Sequence, residues 1–454
     1  MPGVVWRIPS PIEPRIPLAK RIVADNFSGL KSHMKKLIGS VLRLGTGEAV
    51  SRLASFGLYA YISRAFGVEL LGIVALSQTI ALYVTFGTDQ GLRMIGARLV
   101  ARDASSAPEI VRHVLRKRLI SCALCVALGS TYALWGPVPA NARLYVLGFV
   151  LAVLPYAFSL DWLAWGLDHL GWLGMWRACV GVVFVAGAIA AMRISGSALM
   201  PTTVANGASV VSGVLLLWGL WRFRWRSPHS ASIPSSSQFE EEFRWGAVLP
   251  LGMATILNLM FNNFDTVMLG ALASAKEVGR YNAGYKVLYM IFGIYYLLTQ
   301  SLYPKLSRLK GRGQARQMLS FALLCLFILG GCLALIIGVW AAPILHIIYG
   351  SDLGAIHLLR VLVVALPMEL CIALMGTVLV SRGFDKVVLA CTGSAAAFNV
   401  TLNWFLIPRL QADGAAWSTV ASYLLLLVLV LSAFAVKPVL REESTSPAVS
   451  ACPA

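Results

Sequence analysis

Nine ionisable side chains interrupt the long apolar stretches of this sequence, and their chemistry is the first question it raises. Four are basic and five are acidic: Arg52, Arg93, Arg177, Lys286, Glu48, Asp89, Asp161, Asp265 and Glu369. Inserting a charge at the centre of a membrane helix costs about 2.5–3.5 kcal/mol. The set therefore predicts helices that turn these charges toward one another or toward a water-filled interior.

Two pairs of these charges are four residues apart, namely Glu48 with Arg52 and Asp89 with Arg93. Each pair shares one face of a helix, so neutralisation within that helix fits them as well as a functional role does. The other five have no opposite charge one helical turn away: Asp161, Arg177, Asp265, Lys286 and Glu369. These five require partners from other helices, a coupling ion or a substrate.

Asp265 and Lys286 are predicted to lie at the same depth. Asp265 is about eight residues before the outer end of one apolar stretch, and Lys286 is about eight residues into the next. Because a short loop joins the stretches, they run antiparallel, and both charges lie roughly 12 Å below the outer surface. A buried ion pair and a pair that opens for a proton or a substrate both fit. Asn262, nearby, adds hydrogen-bonding capacity that lipid does not require.

Enzymatic chemistry has little support in this sequence. There is no Ser/His/Asp cluster, no glycine-rich phosphate loop and no metal-ligand spacing, so no cofactor or metal is predicted. The longest predicted outer loop, 342–357, is too short for a soluble active site. Cys122 and Cys125 form a C-x-x-C on an apolar stretch without a second ligand pair, which favours simple packing.

The elements that must position these charges are membrane spans. The chain is 58% hydrophobic and only 13% charged, a composition typical of a membrane protein. Apolar stretches of about 20 residues cross a bilayer. Twelve are predicted: 44–63, 71–97, 119–139, 144–167, 170–192, 198–221, 245–273, 278–304, 318–341, 358–381, 387–407 and 412–436.

The basic residues predict the orientation of these spans. With a cytoplasmic N-terminus, 27 of the 38 Lys and Arg residues flank the inner side and seven the outer side. This bias predicts that both termini are cytoplasmic. It also explains the net charge of +18 through contact with anionic membrane lipids, without nucleic acid.

The spans divide into two groups of six. The predicted organisation is an arm at 1–43, a six-helix lobe at 44–221, a cytoplasmic linker at 222–244, a second six-helix lobe at 245–436 and a cytoplasmic tail at 437–454. Equal and even span counts predict a parallel repeat, and a shift of 207 residues places Gly72 on Gly279. Helical apolar spacing at 18–38 favours a helix on the inner membrane face. A translation start at Met34 would leave that arm without a role, and the two readings stay open.

Short motifs occur from the first predicted span to the last. The second half contains Phe-Asp-Thr-Val-Met-Leu-Gly at 264–270, Val-Gly-Arg-Tyr-Asn-Ala-Gly-Tyr-Lys at 278–286 and Tyr-Pro-Lys-Leu-Ser at 303–307, with Asn399, Asn403 and Gly-Ala-Ala at 414–416 beyond them. The first half adds Phe-Gly-Val-Glu at 66–69 and Thr-Asp-Gln-Gly-Leu at 88–92. Together they resemble the polysaccharide-transporter family, which includes the Wzx-type flippases of the multidrug/oligosaccharidyl-lipid/polysaccharide (MOP) exporter superfamily.

This resemblance implies an all-α integral membrane protein whose two lobes surround a central cavity and work by alternating access. The implied cargo is an oligosaccharide repeat unit of O-antigen or exopolysaccharide linked to undecaprenyl pyrophosphate. It would pass from the cytoplasmic to the periplasmic leaflet of a bacterial inner membrane. Other polysaccharide assembly proteins are candidate partners.

The resemblance also suggests which cations bind the pyrophosphate. In relatives, basic residues on spans one, two and eight line the cavity, and Arg52, Arg93 and Lys286 occupy those spans here. Fixed cations can replace the hydration of a phosphate group. Arg177, Asn262 and Gln300 are additional binding candidates, and Trp162 is a candidate sugar contact.

Transport is predicted to be driven by an ion gradient, of H+ or Na+. Asp265 is the first candidate for coupling, followed by Glu369 and Asp161, because a buried carboxylate without a local partner can exchange an ion. Two other functions remain open: a drug–cation antiporter of the same superfamily, and a membrane enzyme of polysaccharide assembly. A lipid-linked peptidoglycan precursor also fits as cargo.

Overall fold

The protein is described by a computed structural model over residues 18–195, 245–307 and 312–436, and all regular elements in those ranges are helices. The first range contains α1 (Leu18–Asp89), α2 (Leu92–Arg102), α3 (Ala107–Trp135), α4 (Arg143–Leu151), α5 (Asp161–Gly166) and α6 (Leu170–Ser195). The later ranges contain α7 (Trp245–Leu272), α8 (Ala275–Ser307), α9 (Arg312–Val339), α10 (Ala341–Tyr349), α11 (Ile356–Leu362), α12 (Leu366–Ser381) and α13 (Asp385–Val436).

Seven stretches of the described chain are helical, long and apolar enough to cross a bilayer: Ala49–Asp89, Ala104–Trp135, Ala140–Phe158, Gly171–Ile194, Gln317–Val339, Ile356–Ser381 and Asp385–Phe434. The protein is therefore a multi-pass, all-helical membrane protein. The predicted sixth span (198–221), the linker, the tail and residues 1–17 lie outside the described residues. The arrangement of twelve spans in two lobes accordingly stays a prediction.

Two of the seven stretches are interrupted where the sequence predicts a loop between successive spans. In α1 the interruption is Gly67, with φ 84° and ψ −177°, a conformation that only glycine adopts readily. In α13 it is Gln411, with φ 54° and ψ −129°. Before Gly67, α1 runs without a break from Leu18, so the helix predicted at 18–38 is continuous with the first span.

The prediction of one span over 71–97 is wrong. Helix α1 ends at Asp89, Gln90 and Gly91 have φ 44° and 88°, and α2 starts at Leu92. Both residues therefore have left-handed backbone, which ends the helix and redirects the chain. The residues on either side of this break do not share one helix face.

The predicted span over 144–167 is not a single helix either. The structure has α4, a short 3₁₀ helix at Pro155–Phe158 and then α5. Pro155 has no backbone N–H to continue the hydrogen bonds of α4, which explains why the helix is interrupted there.

Helix α3 has one face toward the lipid and another toward the protein core. Ile120, Leu124 and Leu128 recur every four residues and are each about 60% exposed. The opposite face, with Cys122, Val126 and Ala133, is buried. A row of exposed leucine and isoleucine is stable against hydrocarbon and costly against water, so this row faces the bilayer.

Helices α1 and α8 approach each other closely at two glycines. A Cβ atom on Gly72 would lie 1.8 Å from the carbonyl oxygen of Ala275 and 2.6 Å from the backbone nitrogen of Gly279. A Cβ on Gly279 would lie 2.0 Å from the carbonyl oxygen of Val68. Small residues allow such backbone contact between membrane helices. Gly72 and Gly279 are also the two positions matched by the predicted repeat, and equivalent positions touch only near a symmetry axis.

The Gly72→Ala variant is expected to weaken this contact, because the added methyl group meets backbone atoms that cannot rotate away. Overpacking of this kind costs about 1–3 kcal/mol. The matched control is Gly57→Ala on the same helix, where a Cβ has no neighbour within 4 Å. Thermal unfolding of the purified proteins should show a lower Tm for Gly72→Ala and an unchanged Tm for Gly57→Ala. Equal Tm values would contradict the close contact.

The first and second halves of the chain also meet at the predicted outer end. The Arg64 guanidinium donates to the carbonyl oxygens of Ile347 and Ile348 (3.1 Å from Nε to the latter) at the C-terminus of α10. Nearby, Asn141 donates to Glu69 (2.6 Å), beside a cavity of about 420 Å³ that is also lined by residues 270–271 and 273–276. A cation at the C-terminus of a helix is favourable, so Arg64 stabilises this contact.

Candidate functional site

Asp265 of α7 lies in a fully described pocket of neutral hydrogen-bond donors. Asp265 is only 1% exposed. Oδ2 accepts from the Tyr281 hydroxyl (2.9 Å) and the Thr419 hydroxyl (3.1 Å), and Oδ1 accepts from the Asn403 amide. The donors come from α8 and from both sides of the Gln411 interruption in α13. A buried carboxylate thus gathers three helical segments without a cation among the described residues.

Amide oxygens complete the polar environment of Asp265. The Asn403 amide also donates to Asn399 Oδ1 (3.0 Å), and the Asn403 Oδ1 atom is buried without a hydrogen-bond partner in the described part of the chain. A buried oxygen without a partner is costly. The cluster therefore has unused acceptor capacity next to a negative charge, which suits a proton or a small hard cation.

The predicted pairing of Asp265 with Lys286 is wrong in this structure. Helix α8 begins at Ala275, where Ser274 caps its first turn through its hydroxyl, rather than at 278. Asp265 is seven residues before the end of α7, while Lys286 is eleven residues into α8. The residue at matching depth is Tyr281, which donates to Asp265. A shift of three residues also turns a side chain by about 300° around the helix.

Lys286 instead contacts an aromatic face. Its Nζ atom lies 4.6 Å from the centroid of the Tyr59 ring on α1, and the Tyr59 hydroxyl donates to Gln78 Oε1. One turn further along α8, the Tyr289 ring lies under the Arg52 guanidinium, 5.5 Å from its centroid. The contacts are reciprocal, because each helix supplies one cation and one ring. We call Arg52, Lys286, Tyr59 and Tyr289 the α1–α8 cation site.

A row of tyrosines on α8 connects the two regions. Tyr281 stacks on Tyr285 with ring centroids 5.6 Å apart, and Tyr285 stacks on Tyr289 at 6.4 Å. Tyr285 donates to the carbonyl oxygen of Asn262 (2.7 Å), and Tyr423 donates to Asn262 Oδ1 (3.3 Å). Asn262, a predicted binding residue, therefore lies beside this row. The Asp265 carboxylate contacts the tyrosine at one end of this row, and the Arg52 guanidinium contacts the tyrosine at the other end.

The remaining charges of the first half form a separate cluster. Asp161 Oδ2 accepts from Arg93 (3.0 Å) and from Arg177 (3.4 Å), and its other oxygen accepts from the Ser159 hydroxyl (3.2 Å). Of the three alternatives predicted for Asp161 and Arg177, the structure shows partners from other helices, since α5 and α6 supply them to each other. Trp162, proposed as a sugar contact, is fully buried in the small core of α2, α3 and α5.

Neutralisation of Arg93 by Asp89 on one helix, one of the two interpretations that the sequence leaves open, is not what the structure shows. Asp89 pairs with Arg118 of α3, and Arg93 pairs with Asp161. The cause is the left-handed backbone at Gln90 and Gly91, which separates residues 89 and 93 onto two helices. Arg93 is therefore held by a carboxylate away from the α1–α8 cation site.

Arg118 is the charged residue that sequence reasoning missed. Its side chain is fully buried, its guanidinium pairs with Asp89 and donates to the Ser159 carbonyl (2.7 Å), and its charge lies 5.6 Å from the centroid of the Tyr156 ring. The sequence grouped it with the inner flank of the third span. Its position four residues after Val114 and eight after Ile110, on the buried stripe of α3, is the signal that identifies it.

Two other predicted site residues lie apart from these contacts. Glu369 is in the first turn of α12 and half-buried, and its charge interacts electrostatically with the hydroxyl groups of Tyr285 and Tyr423. It therefore borders the tyrosine row. The side chains of Gln300 and Glu48 lie outside the described residues.

Comparison with known proteins gives the family. Residues 37–310, more than half of the chain, match the sequence profile of the family described as polysaccharide biosynthesis protein, and residues 250–405 match the MatE profile. A protein of Escherichia coli (strain K12) named as an O-antigen transporter is 19% identical over 402 residues, which are 86% of this chain and 95% of that protein. One of Shigella dysenteriae with the same name is 21% identical over 64% of this chain and 72% of its own.

Solved structures share the fold. The lipid II flippase MurJ in an inward closed conformation superposes with a TM-score of 0.69 at 10% identity, covering 86% of this chain and 87% of its own. An inward-facing multidrug resistance MATE family transporter of the MOP superfamily gives 0.61 at 15% identity, covering 87% and 96%. The chain belongs to the polysaccharide biosynthesis protein family and shares its fold with these MurJ and MATE structures.

Proposed function

We propose that this transporter flips oligosaccharide repeat units linked to undecaprenyl pyrophosphate from the cytoplasmic to the periplasmic leaflet of a bacterial inner membrane. Alternating access of the two halves, coupled to an ion gradient, would move O-antigen or exopolysaccharide units. Both termini would be cytoplasmic, as the distribution of basic residues predicts. The relatives named as O-antigen transporters support the cargo class.

The α1–α8 cation site is the observation that carries this proposal. Arg52 comes from the first half of the chain and Lys286 from the second, and the two helices that hold them also touch at Gly72 and Gly279. A pyrophosphate can leave water only where fixed cations replace its hydration, and Arg and Lys supply charge-assisted donors. A site shared by two moving halves can bind the lipid head group and pass it across.

The Asp265 cluster supports ion coupling. A buried carboxylate surrounded by neutral donors is stable when a proton or a sodium ion neutralises it, and both ions remain open. Thr419 and Asn403 lie on the two sides of the Gln411 interruption. Neutralisation of Asp265 by an ion would therefore change its hydrogen bonds to both parts of α13. Glu369, beside the same tyrosines, is the second candidate.

A drug–cation antiporter is the second candidate function, and the MatE match over residues 250–405 favours it. Such a transporter would bind cationic drugs by acidic and aromatic groups. The aromatic rings of the α1–α8 cation site already hold a lysine and an arginine, which disfavour a cationic ligand there. This contrast makes an anionic head group the better ligand.

The direct test is a deletion strain. Loss of the gene should leave undecaprenyl-linked oligosaccharide accumulated on the cytoplasmic leaflet and remove the surface polysaccharide, and the wild-type gene should reverse both. Extraction and mass spectrometry of lipid-linked intermediates would measure the first effect. Normal polysaccharide with increased sensitivity to cationic drugs would instead support the antiporter.

A further inference from the structure

Lys286 has an unusual partner for a cation in a membrane protein. Among the described residues, its contact is the ring of Tyr59 rather than a carboxylate. Arg93 and Arg118 in the first half differ from Lys286, because each pairs with an aspartate. A cation held by a neutral ring keeps its full charge for another anion.

We propose that Tyr59 is a positioning residue that holds the Lys286 ammonium while no cargo is bound and releases it to the pyrophosphate of the cargo. This inference rests on the proposed function, and it adds a residue that does not itself bind the phosphate. Tyr59 would set the starting position of the cation, and Lys286 would then follow the anion.

The geometry suits such a holder. Tyr59 is 5% exposed, so its ring cannot move far, and its hydroxyl is tied to Gln78 on the other side of the Gly67 interruption. The fixed ring presents its negative face to Lys286, which is only half-buried on α8. Of the two groups, the lysine is therefore the one that is able to leave.

The relative strengths of the contacts favour release. A cation–π contact is weaker than charge-assisted hydrogen bonds between an ammonium and a phosphate group. Replacing a carboxylate partner would be much harder, because a buried ion pair must then be separated. A ring thus stabilises the cation in the empty state without competing strongly with the cargo.

The opposite arrangement of Arg52 over Tyr289 has the same geometry in reverse, with the ring on α8 and the cation on α1. The two contacts are seven residues apart on α1 and three residues apart on α8, roughly 10 Å and 4.5 Å along the two helices. A pyrophosphate has two phosphate groups, so two cations delivered from facing helices match its charge distribution.

The proposal makes an unusual prediction for Tyr59→Leu. Because the ring stabilises only the empty state, its removal should tighten binding of undecaprenyl pyrophosphate by roughly 2- to 30-fold, the range given by the strength of a cation–π contact. Transport should nevertheless become slower, since the cargo is released less readily. Tyr59→Phe keeps the ring face and should bind within about twofold of the wild type.

Binding would be measured on purified full-length protein in lipid nanodiscs, and export in cells at matched protein levels. Tyr61→Leu is the matched control, because Tyr61 lies on the same helix with Arg193 over its ring, 5.8 Å from the centroid. If the wild type binds undecaprenyl pyrophosphate and Tyr59→Leu binds it equally or more weakly, the inference about Tyr59 is wrong, whereas the proposed function is not affected. Failure of the wild type to bind would overturn the proposed function itself.

A second measurement uses protein in which Tyr59 is intact. In protein labelled with ¹³C at lysine Cε, the Lys286 signal, assigned by its loss in Lys286→Arg, should be shifted by the ring current of Tyr59. Saturation with undecaprenyl pyrophosphate should remove this shift. A ring-current shift that persists at saturation would show that Lys286 stays on Tyr59 and would reject the inference.

Discussion

The Asp265→Asn variant is expected to lose export while its thermal stability stays equal to that of the wild type or rises. The carboxylate is buried among neutral donors, so its charge is costly to the fold and its retention points to function. Asn is nearly isosteric and keeps one acceptor for Tyr281 and Thr419. Asn403 can turn its amide to meet the new side chain, because its Oδ1 has no partner in the described structure.

The size of the expected loss follows from coupling. Removing the group that exchanges the ion removes a coupling free energy of about 1–3 kcal/mol, which corresponds to roughly 5- to 150-fold in export. Export of polysaccharide would be measured at matched membrane levels, and Tm by thermal unfolding of purified protein. Asn263→Ala is the control on the same helix, since among the described residues the Asn263 amide donates to the Leu259 carbonyl one turn away (3.3 Å) and not to Asp265.

The same preparations identify the ion. If sodium binds at Asp265, NaCl should raise the Tm of the wild type above its value in KCl, and Asp265→Asn should lose this difference. Proton coupling would leave the two salts equivalent and make export depend on pH. Unaltered export by Asp265→Asn would remove this residue from the mechanism.

The Lys286→Ala variant is expected to lose export by roughly 10- to 150-fold, the value of one charge-assisted hydrogen bond of about 1.5–3 kcal/mol. Lys286→Arg should keep part of the activity, because the charge survives although the donor geometry changes. The double variant Lys286→Ala/Asp265→Ala tests for a counter-ion, because only a counter-ion role allows export to return; a defect alone does not distinguish the two roles, since loss of Asp265 is itself expected to stop export. The double variant should stay defective, because Tyr281, Asn403 and Thr419 already satisfy Asp265 without Lys286.

Restored export in that double variant would show that Lys286 serves only to neutralise Asp265, and the α1–α8 cation site would lose its role. Arg93→Gln provides a useful comparison. Arg93 pairs with Asp161 outside this site, so its removal should lower stability by leaving a half-buried carboxylate without one of its partners. Lys286→Ala should change stability much less.

The sequence by itself determined the membrane character, the family and the candidate site residues. Hydrophobic stretches of span length are a property of composition, and charges within them are expensive wherever the helices pack. Arg52, Lys286 and Asp265 could therefore be selected without coordinates. Gly67 could be placed between two spans for the same reason, because the apolar pattern ends there.

Only the tertiary structure decided which partners these residues have. Lys286 contacts Tyr59 and Asp265 contacts Tyr281 because α8 begins three residues earlier than the apolar pattern suggests. Asp89 contacts Arg118 because the backbone turns left-handed at Gln90 and Gly91. Each residue along a helix turns its side chain by about 100°, so a small error in a helix boundary exchanges one partner for another. Hydrophobicity fixes where a helix crosses the membrane, whereas helix ends and packing fix the direction in which each charge points.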